Sequence, residues 1–268
     1  MKVGVILMTT AVITGAGSGL GQKIAILNST HYDNLVLIGR NSEKLNATAE
    51  KCIVKGENRI FCLACDLTKE DQIRQTGAWI DSHLGTVDLL VNNAGLGYFE
   101  NLLNQSFEQI ERTFATDLTG MIKFTRLMLP LMVDHVGEAA DIVNIASIAG
   151  KIATAKTTTY ASAKFGVIGF SNALRLEMYD RNIRVHTINP GPMDTNFFSI
   201  ADPSGKYLKG VQQFVINANQ VAELVNKAII ENLREVNVPK IMGVGAIMYT
   251  LFPKMGDLIV NSPLINRK

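Results

Sequence analysis

Tyr160 and Lys164 are the residues best placed by type and spacing to move a proton. In Tyr160-Ala161-Ser162-Ala163-Lys164 a separation of four on a helix puts phenol and ammonium on one face. A free phenol titrates near 10, and bringing it to about 7 takes roughly 4 kcal/mol of preference for phenolate. One ammonium about 4 Å away, at an effective dielectric near 20, supplies a contribution of that order. Tyr160 would then serve as acid or base and Lys164 as its electrostatic partner. The pentapeptide also suits a helix with an ordinary surface Tyr and Lys, so the reading needs support from elsewhere in the chain.

A second group of residues offers a phosphate site. Thr14-Gly15-Ala16-Gly17-Ser18-Gly19-Leu20-Gly21 follows the β-branched run Ala11-Val12-Ile13-Thr14 and opens a helix-like stretch. Glycines let the backbone turn tightly and approach a pyrophosphate, while the helix N-terminus supplies N–H donors. Past the next apolar run stands Gly39-Arg40-Asn41, where an acid would favour the unphosphorylated ribose. A guanidinium in that place favours a 2′-phosphate, so NADP(H) is the preferred cofactor and NAD(H) the alternative. Arg40 would otherwise be a solvated helix-start residue. Asp66, in Cys65-Asp66-Leu67-Thr68, could accept from an adenine amino group, cap the helix beginning near Lys69, or do both.

These residues need a scaffold, and the chain describes one by alternation. Apolar runs at 11–14, 35–38, 60–64, 87–91, 142–145 and 185–188 alternate with helical patterns at 21–27, 42–54, 70–83, 107–133 and 158–178. Strands apolar on both faces and separated by helices predict a parallel sheet covered on both sides. Right-handed crossovers make that a single-domain, doubly wound Rossmann-type α/β fold, with a possible last strand at 236–238. Residues 194–217 read as a loop over the substrate, and 241–268 as a C-terminal apolar extension.

With the scaffold in view, the motifs resemble the short-chain dehydrogenase/reductase family over about residues 9–198. They are TGAGSGLG, Asn92-Asn93-Ala94-Gly95, Ser147 thirteen positions before Tyr160, the Tyr-X3-Lys pair, and Pro190-Gly191 after the sixth strand. The glycine spacing matches the ordinary reductase/dehydrogenase branch rather than the longer epimerase-like one. The resemblance implies hydride transfer between NADP(H) and a carbonyl or secondary alcohol. It gives Ser147 the task of holding the substrate oxygen, Tyr160 the proton, and Lys164 a hydrogen bond to the nicotinamide ribose. It implies that Asn93, Ala94 and Gly95 line the cofactor cleft, with Leu20 and Leu67 beside it, and that Pro190, Gly191 and Thr195 cradle the nicotinamide. It also implies a homodimer or homotetramer. Asp117 departs from the pattern, because the family usually has Asn before Leu-Thr-Gly. A carboxylate aimed at Lys164 would offset part of the charge that lowers the phenol, which predicts a shifted, higher pH optimum. A non-catalytic NADP(H) sensor or scaffold of the same fold is the rival reading.

Other classes of function are disfavoured. Lys+Arg 26 against Asp+Glu 24 in 268 residues leaves a net charge of +2 with no basic block, which argues against nucleic-acid binding. Three cysteines suit a reducing, cytoplasmic setting rather than a disulfide framework. Cys62-Leu63-Ala64-Cys65 spans a strand end, where residues three apart face opposite ways, and the four histidines have no ligand spacing, so no metal site is expected. The opening apolar residues lack a signal-peptide cleavage pattern, and Met8 is an alternative start. The run Ile241–Phe252 is too short to span a bilayer. The apolar stretch 241–260 is read as core or interface packing, with a pocket wall or a membrane-surface helix as alternatives.

Overall fold

The computed structural model describes residues 8–54, 58–133, 139–205, 210 and 212–260. The apolar opening residues 1–7 and the last part of the extension, 261–268, lie outside them. Seven strands form the sheet: β1 (Thr10–Thr14), β2 (Asn34–Gly39), β3 (Arg59–Ala64), β4 (Leu89–Asn92), β5 (Ala140–Ile145), β6 (Ile183–Pro190) and β7 (Glu235–Val238). Every neighbouring pair is parallel, in the order β3-β2-β1-β4-β5-β6-β7. The chain steps outward from β1 to β3, then returns to place β4 on the other side of β1. That reversal opens a crevice at the carboxyl ends of β1 and β4, where doubly wound sheets bind ligands.

Side-chain alternation along each strand builds a core on either face. Ala11, Ile13, Leu35 and Leu37 point one way, against Ile24 of α1 (Gly19–Asn28) and Val221 and Val225 of α8 (Ala218–Ile230). Val12, Val36 and Ile38 point the other way. There they meet Ile73 and Ile80 of α3 (Glu70–Leu84), Phe124 and Met128 of α5 (Met121–Met132), and Leu174 of α6 (Thr158–Glu177). Cys62 falls in the first core and Cys65 in the second, so the two thiols lie on opposite faces. Among the described residues no three His, Cys, Asp or Glu side chains are grouped to hold a metal ion, and no helix is long and apolar enough to cross a membrane.

The structure revises the sequence reading at several points. The helix after β2, α2, runs only Ser42–Ala49, capped by Asn41 Oδ1 accepting from the Lys44 N–H at 2.8 Å. The expected long helix 107–133 is three pieces: α4 (Phe107–Phe114), a π-helical segment (Ala115–Gly120) and α5. Such segments interrupt the normal ladder and frequently mark functional sites, and this one carries Asp117. The 194–217 region holds α7 (Phe197–Ala201) and a 3-10 turn at Gln212–Phe214, with residues 206–209 and 211 outside the description. The apolar extension forms α9 (Lys240–Leu251) and α10 (Pro253–Val260).

Candidate active site

The crevice at the switch point is a cavity of about 850 Å³ reaching from the glycine turn to Tyr160 and beyond. At its phosphate end the turn between β1 and α1 has Gly15 at φ +67° and Gly19 at φ +54°, conformations that L side chains resist. Asn93 holds this turn from behind, its Nδ2 donating to the Thr14 carbonyl at 3.0 Å and the Gly15 carbonyl at 3.3 Å. Thr14 Oγ1 accepts from the N–H groups of Asn93 and Ala94 at 3.0 and 3.1 Å, locking the ends of β1 and β4 together. Gly17, Ser18 and Leu20 line the cavity beside Gly15 and Gly19, and Thr195 packs next to Gly19.

Gly21 does not reach the cavity. A Cβ there would lie 2.3 Å from the Gly15 carbonyl oxygen and 2.4 Å from Asn93 Nδ2, so its smallness lets α1 pack against the turn. Arg40 and Asn41 stand at the rim, joined by Lys44 one helical turn on, a cation that the sequence reading missed. Asp66 and Leu67 line the same end. Asp66 does not cap α3, whose cap is Lys69; its Oδ1 accepts from the Thr68 N–H at 3.0 Å instead. Burial pushes the Asp66 carboxyl up, but the Thr68 hydrogen bonds and the nearby Arg40 and Arg112 hold it below the ordinary range.

At the other end Ser147, from the turn after β5, meets Tyr160 and Lys164, which share one face of α6. Ser147 follows β5 and heads the 3-10 turn Ile148–Gly150, its Oγ accepting from the Ala149 N–H at 3.1 Å and donating to the Pro190 carbonyl at 3.4 Å. The Ser147 side chain acts on the neighbouring Tyr160 phenol, pulling its titration down. Lys164 Nζ lies 5.7 Å from the Tyr160 ring centre and donates to the Ile145 carbonyl at 3.2 Å. Pro190 and Gly191 line the cavity at the end of β6, and Gly95 lies where a Cβ would stand 3.1 Å from Asp117 Oδ2 and 3.4 Å from Lys164 Nζ.

Asp117 is the unusual member. The π-helical segment turns its carboxylate inward, away from the cavity and behind Lys164, so it touches the ammonium rather than the cleft. Oδ2 is 3.2 Å from Nζ, Oδ1 accepts from the Leu96 N–H at 2.7 Å, and the two side chains are 0% and 5% exposed. Burial raises the Asp117 carboxyl against the opposing pull of Lys164. Burial also pulls the Lys164 ammonium down, yet Asp117 and Tyr160 together keep it above its ordinary value. The expected depression of the Tyr160 phenol is reversed: burial raises it, Lys164 and Ser147 only partly oppose that, and Asp117 adds to the rise. The sequence argument counted the ammonium and could not count desolvation.

A buried polar chain fixes these elements from beneath. Asn92 Nδ2 donates to Thr125 Oγ1 at 2.9 Å and to Asn144 Oδ1 at 2.8 Å, and Asn144 Nδ2 donates to Ser171 Oγ at 2.9 Å. It ties β4 and β5 to α5 and α6, the helices on either side of the Asp117–Lys164 pair.

A parallel sheet with a glycine turn at its switch point defines a dinucleotide-binding Rossmann protein, and the comparisons narrow this. The family model described as short chain dehydrogenase matches residues 9–203. The 3-oxoacyl-(acyl-carrier-protein) reductase FabG of Chlamydia muridarum is 32% identical over 203 residues, covering 75% of this chain and 81% of that protein. Carbonyl reductase family member 4 of Danio rerio is 33% identical over 186 residues, covering 69% and 76%. Among solved structures, the closed form of serine dehydrogenase complexed with NADP+ superposes with a TM-score of 0.75 at 27% identity, over 86% of this chain and 94% of that one. A short chain dehydrogenase/reductase from Burkholderia phymatum in complex with NAD shares the fold, with a TM-score of 0.80 at 23% identity over 92% and 95%. The chain belongs to the short-chain dehydrogenase/reductase family and is an NAD(P)-dependent oxidoreductase.

Proposed function

We propose that this protein interconverts a carbonyl and a secondary alcohol using NADP(H), with Ser147, Tyr160 and Lys164 as its proton-handling site. The observation that carries the reading is the meeting of the Ser147 hydroxyl, the Tyr160 phenol and the Lys164 ammonium at one end of a cleft whose other end is a glycine cradle. When bound, the nicotinamide supplies or accepts the hydride. Ser147 holds and polarises the substrate oxygen, and Tyr160 donates its proton to that oxygen in reduction or removes it in oxidation. Lys164 steadies the phenolate that donation leaves behind and reaches the nicotinamide ribose.

Arg40 and Lys44 at the rim, with Arg40 and Asn41 rather than an acid directly after β2, support NADP(H) over NAD(H), which fits the same cleft with fewer contacts. Asn93, Ala94, Gly95, Pro190, Gly191 and Thr195 would complete the cradle, with Asp66 and Leu67 at the adenine. Residues 1–268 act as one dinucleotide-binding and catalytic unit in this reading. Three free cysteines favour a reducing, cytoplasmic setting. Exposed Phe107, Phe165 and Leu176 on α4 and α6 favour a homo-oligomer paired through those helices. The test is NADPH oxidation with a panel of ketones and aldehydes. Turnover that Tyr160→Phe abolishes, while NADPH binding persists, supports the enzyme. Binding without turnover on any carbonyl would favour the sensor or scaffold instead.

A further inference from the structure

Beyond Tyr160 the cleft continues into a chamber of a single chemical character. Phe99 and Phe197 pack on Tyr160 with ring centres 5.4 and 5.6 Å away, and Phe198 sits edge-on to Phe99 at 5.8 Å. The opposite wall comes from the extension. On α9, Ile241, Met242, Gly245, Met248 and Tyr249 recur at helical spacing, share one face, and line the cavity with Phe252 at the helix end. Met255, Gly256 and Ile259 of α10 continue the wall. Val244, Ile247 and Leu251 occupy the other side of α9 and do not line it.

The wall is joined to the reacting end. Met242 Sδ lies 3.1 Å from where a Cβ on Gly191 would stand, and Ile152, just past the Ser147 turn, lies 3.8 Å from the equivalent point on Gly245. The Tyr249 hydroxyl donates to Asp257 at 2.9 Å, holding α10 on α9. Among the described residues the charged side chains lining the cavity are Arg40, Lys44, Asp66 and Lys164. Three of these stand at the glycine end and the fourth beside Tyr160, so no charged side chain lining the cavity comes from α9 or α10. A charge laid against this apolar face would trade part of its water for hydrocarbon with no charged lining group to offset the loss.

We propose, resting on the reductase reading above, that the chamber takes a neutral, lipophilic ketone or secondary alcohol. Its oxygen lies at Ser147 and Tyr160, and its hydrocarbon tail runs along α9 and α10. The 12 residues of α9 give that tail a wall about 18 Å long. Methionines, unbranched and polarisable, let the wall accept tails of differing shape. Both helices lie beyond the residues 9–203 that the family model matches, so this wall belongs to the chain's own C-terminal part.

The experiment uses the full chain with NADPH and a homologous series of straight-chain methyl ketones, alongside keto acids of the same lengths with the carboxylate at the far end. Burial of each added methylene should raise kcat/KM by about fourfold, until the tail outruns the wall, and the keto acids should be at least a hundredfold poorer. Met248→Glu, on the wall face, should flatten the series. Ile247→Glu, on the outer face of the same helix, should leave its slope unchanged. Met248 and Ile247 are 47% and 62% exposed, so both variants should fold, as a thermal melt and an NADPH titration would verify. A flat series, keto acids reduced as well as ketones, or equal slopes in the two variants would overturn the proposal while the reductase reading stood. No reduction of any carbonyl by a chain that binds NADPH would overturn both.

Discussion

Replacing Asp117 with Asn removes one charge from the most buried ion pair at the site and leaves its shape intact. The Asp117–Lys164 separation of 3.2 Å corresponds to an attraction of about 5 kcal/mol at an effective dielectric near 20. Against this, the carboxylate's desolvation penalty, several kcal/mol for a buried ion, disappears with the charge. The amide oxygen still accepts from the Leu96 N–H, at a loss of about 1 kcal/mol for the weaker neutral hydrogen bond. Lys164, 5% exposed, is left buried without its counter-charge, so Asp117→Asn should cost about 3–5 kcal/mol and lower Tm by roughly 6–20 °C. The proton chemistry should respond differently. Asp117 helps hold the Tyr160 phenol above its ordinary value, so its removal lowers the phenol. Alcohol oxidation needs phenolate and rises with pH through the phenol's titration, so the rising limb should move to lower pH. The falling limb of carbonyl reduction should move the same way. At a fixed pH on the oxidation limb, the rate gains about tenfold for every 1.4 kcal/mol of phenolate destabilisation relieved. The assay is kcat against pH in both directions for wild type and variant, with a thermal melt on each. A folded variant whose limbs stay in place, or move upward, would refute the electrostatic argument.

Three further outcomes follow from the geometry. Gly21→Ala should weaken NADPH binding at least tenfold in a fluorescence titration, because its Cβ meets the Gly15 carbonyl at 2.3 Å and displaces the turn; unchanged affinity would show that the turn does not hold the cofactor. Arg40→Ser should raise the NADPH Kd by about 10- to 100-fold, the worth of a charge-assisted hydrogen bond, while NADH affinity stays within about twofold. Equal weakening of both cofactors would count against a 2′-phosphate contact. Asp141, which accepts from Arg184 at 2.8 and 2.7 Å and from His186 Nε2 at 2.8 Å, lies at the end of β5 away from the cleft. Asp141→Ala should cost about 3–5 kcal/mol by stranding those partners, lowering Tm by roughly 6–20 °C with NADPH affinity unaltered. A Tm within about 2 °C of wild type would show that the cluster is not structural.

Much of this protein is written in short-range patterns. Two-residue alternation in Ala11-Val12-Ile13 decides which side chain enters which core, the glycines of 15–21 announce a turn between strand and helix, and Tyr160 and Lys164 share a face because they are four apart. Each of these depends on neighbours within a turn or two, so periodicity and residue type suffice. Other features arise only where distant segments meet. The π-helical segment breaks a pattern that reads as continuous from 107 to 133, and with it Asp117 turns behind Lys164, 47 positions later in the chain. The phenol's direction of shift reversed because desolvation depends on everything packed around Tyr160, including Phe99 and Phe197 from distant parts of the chain. The α9–α10 stretch looked like core or interface packing, since composition records that residues are apolar and not what they face. Only the folded chain brings that face to Ser147 and Tyr160, because side chains far apart in sequence share one cavity when the sheet sets their positions.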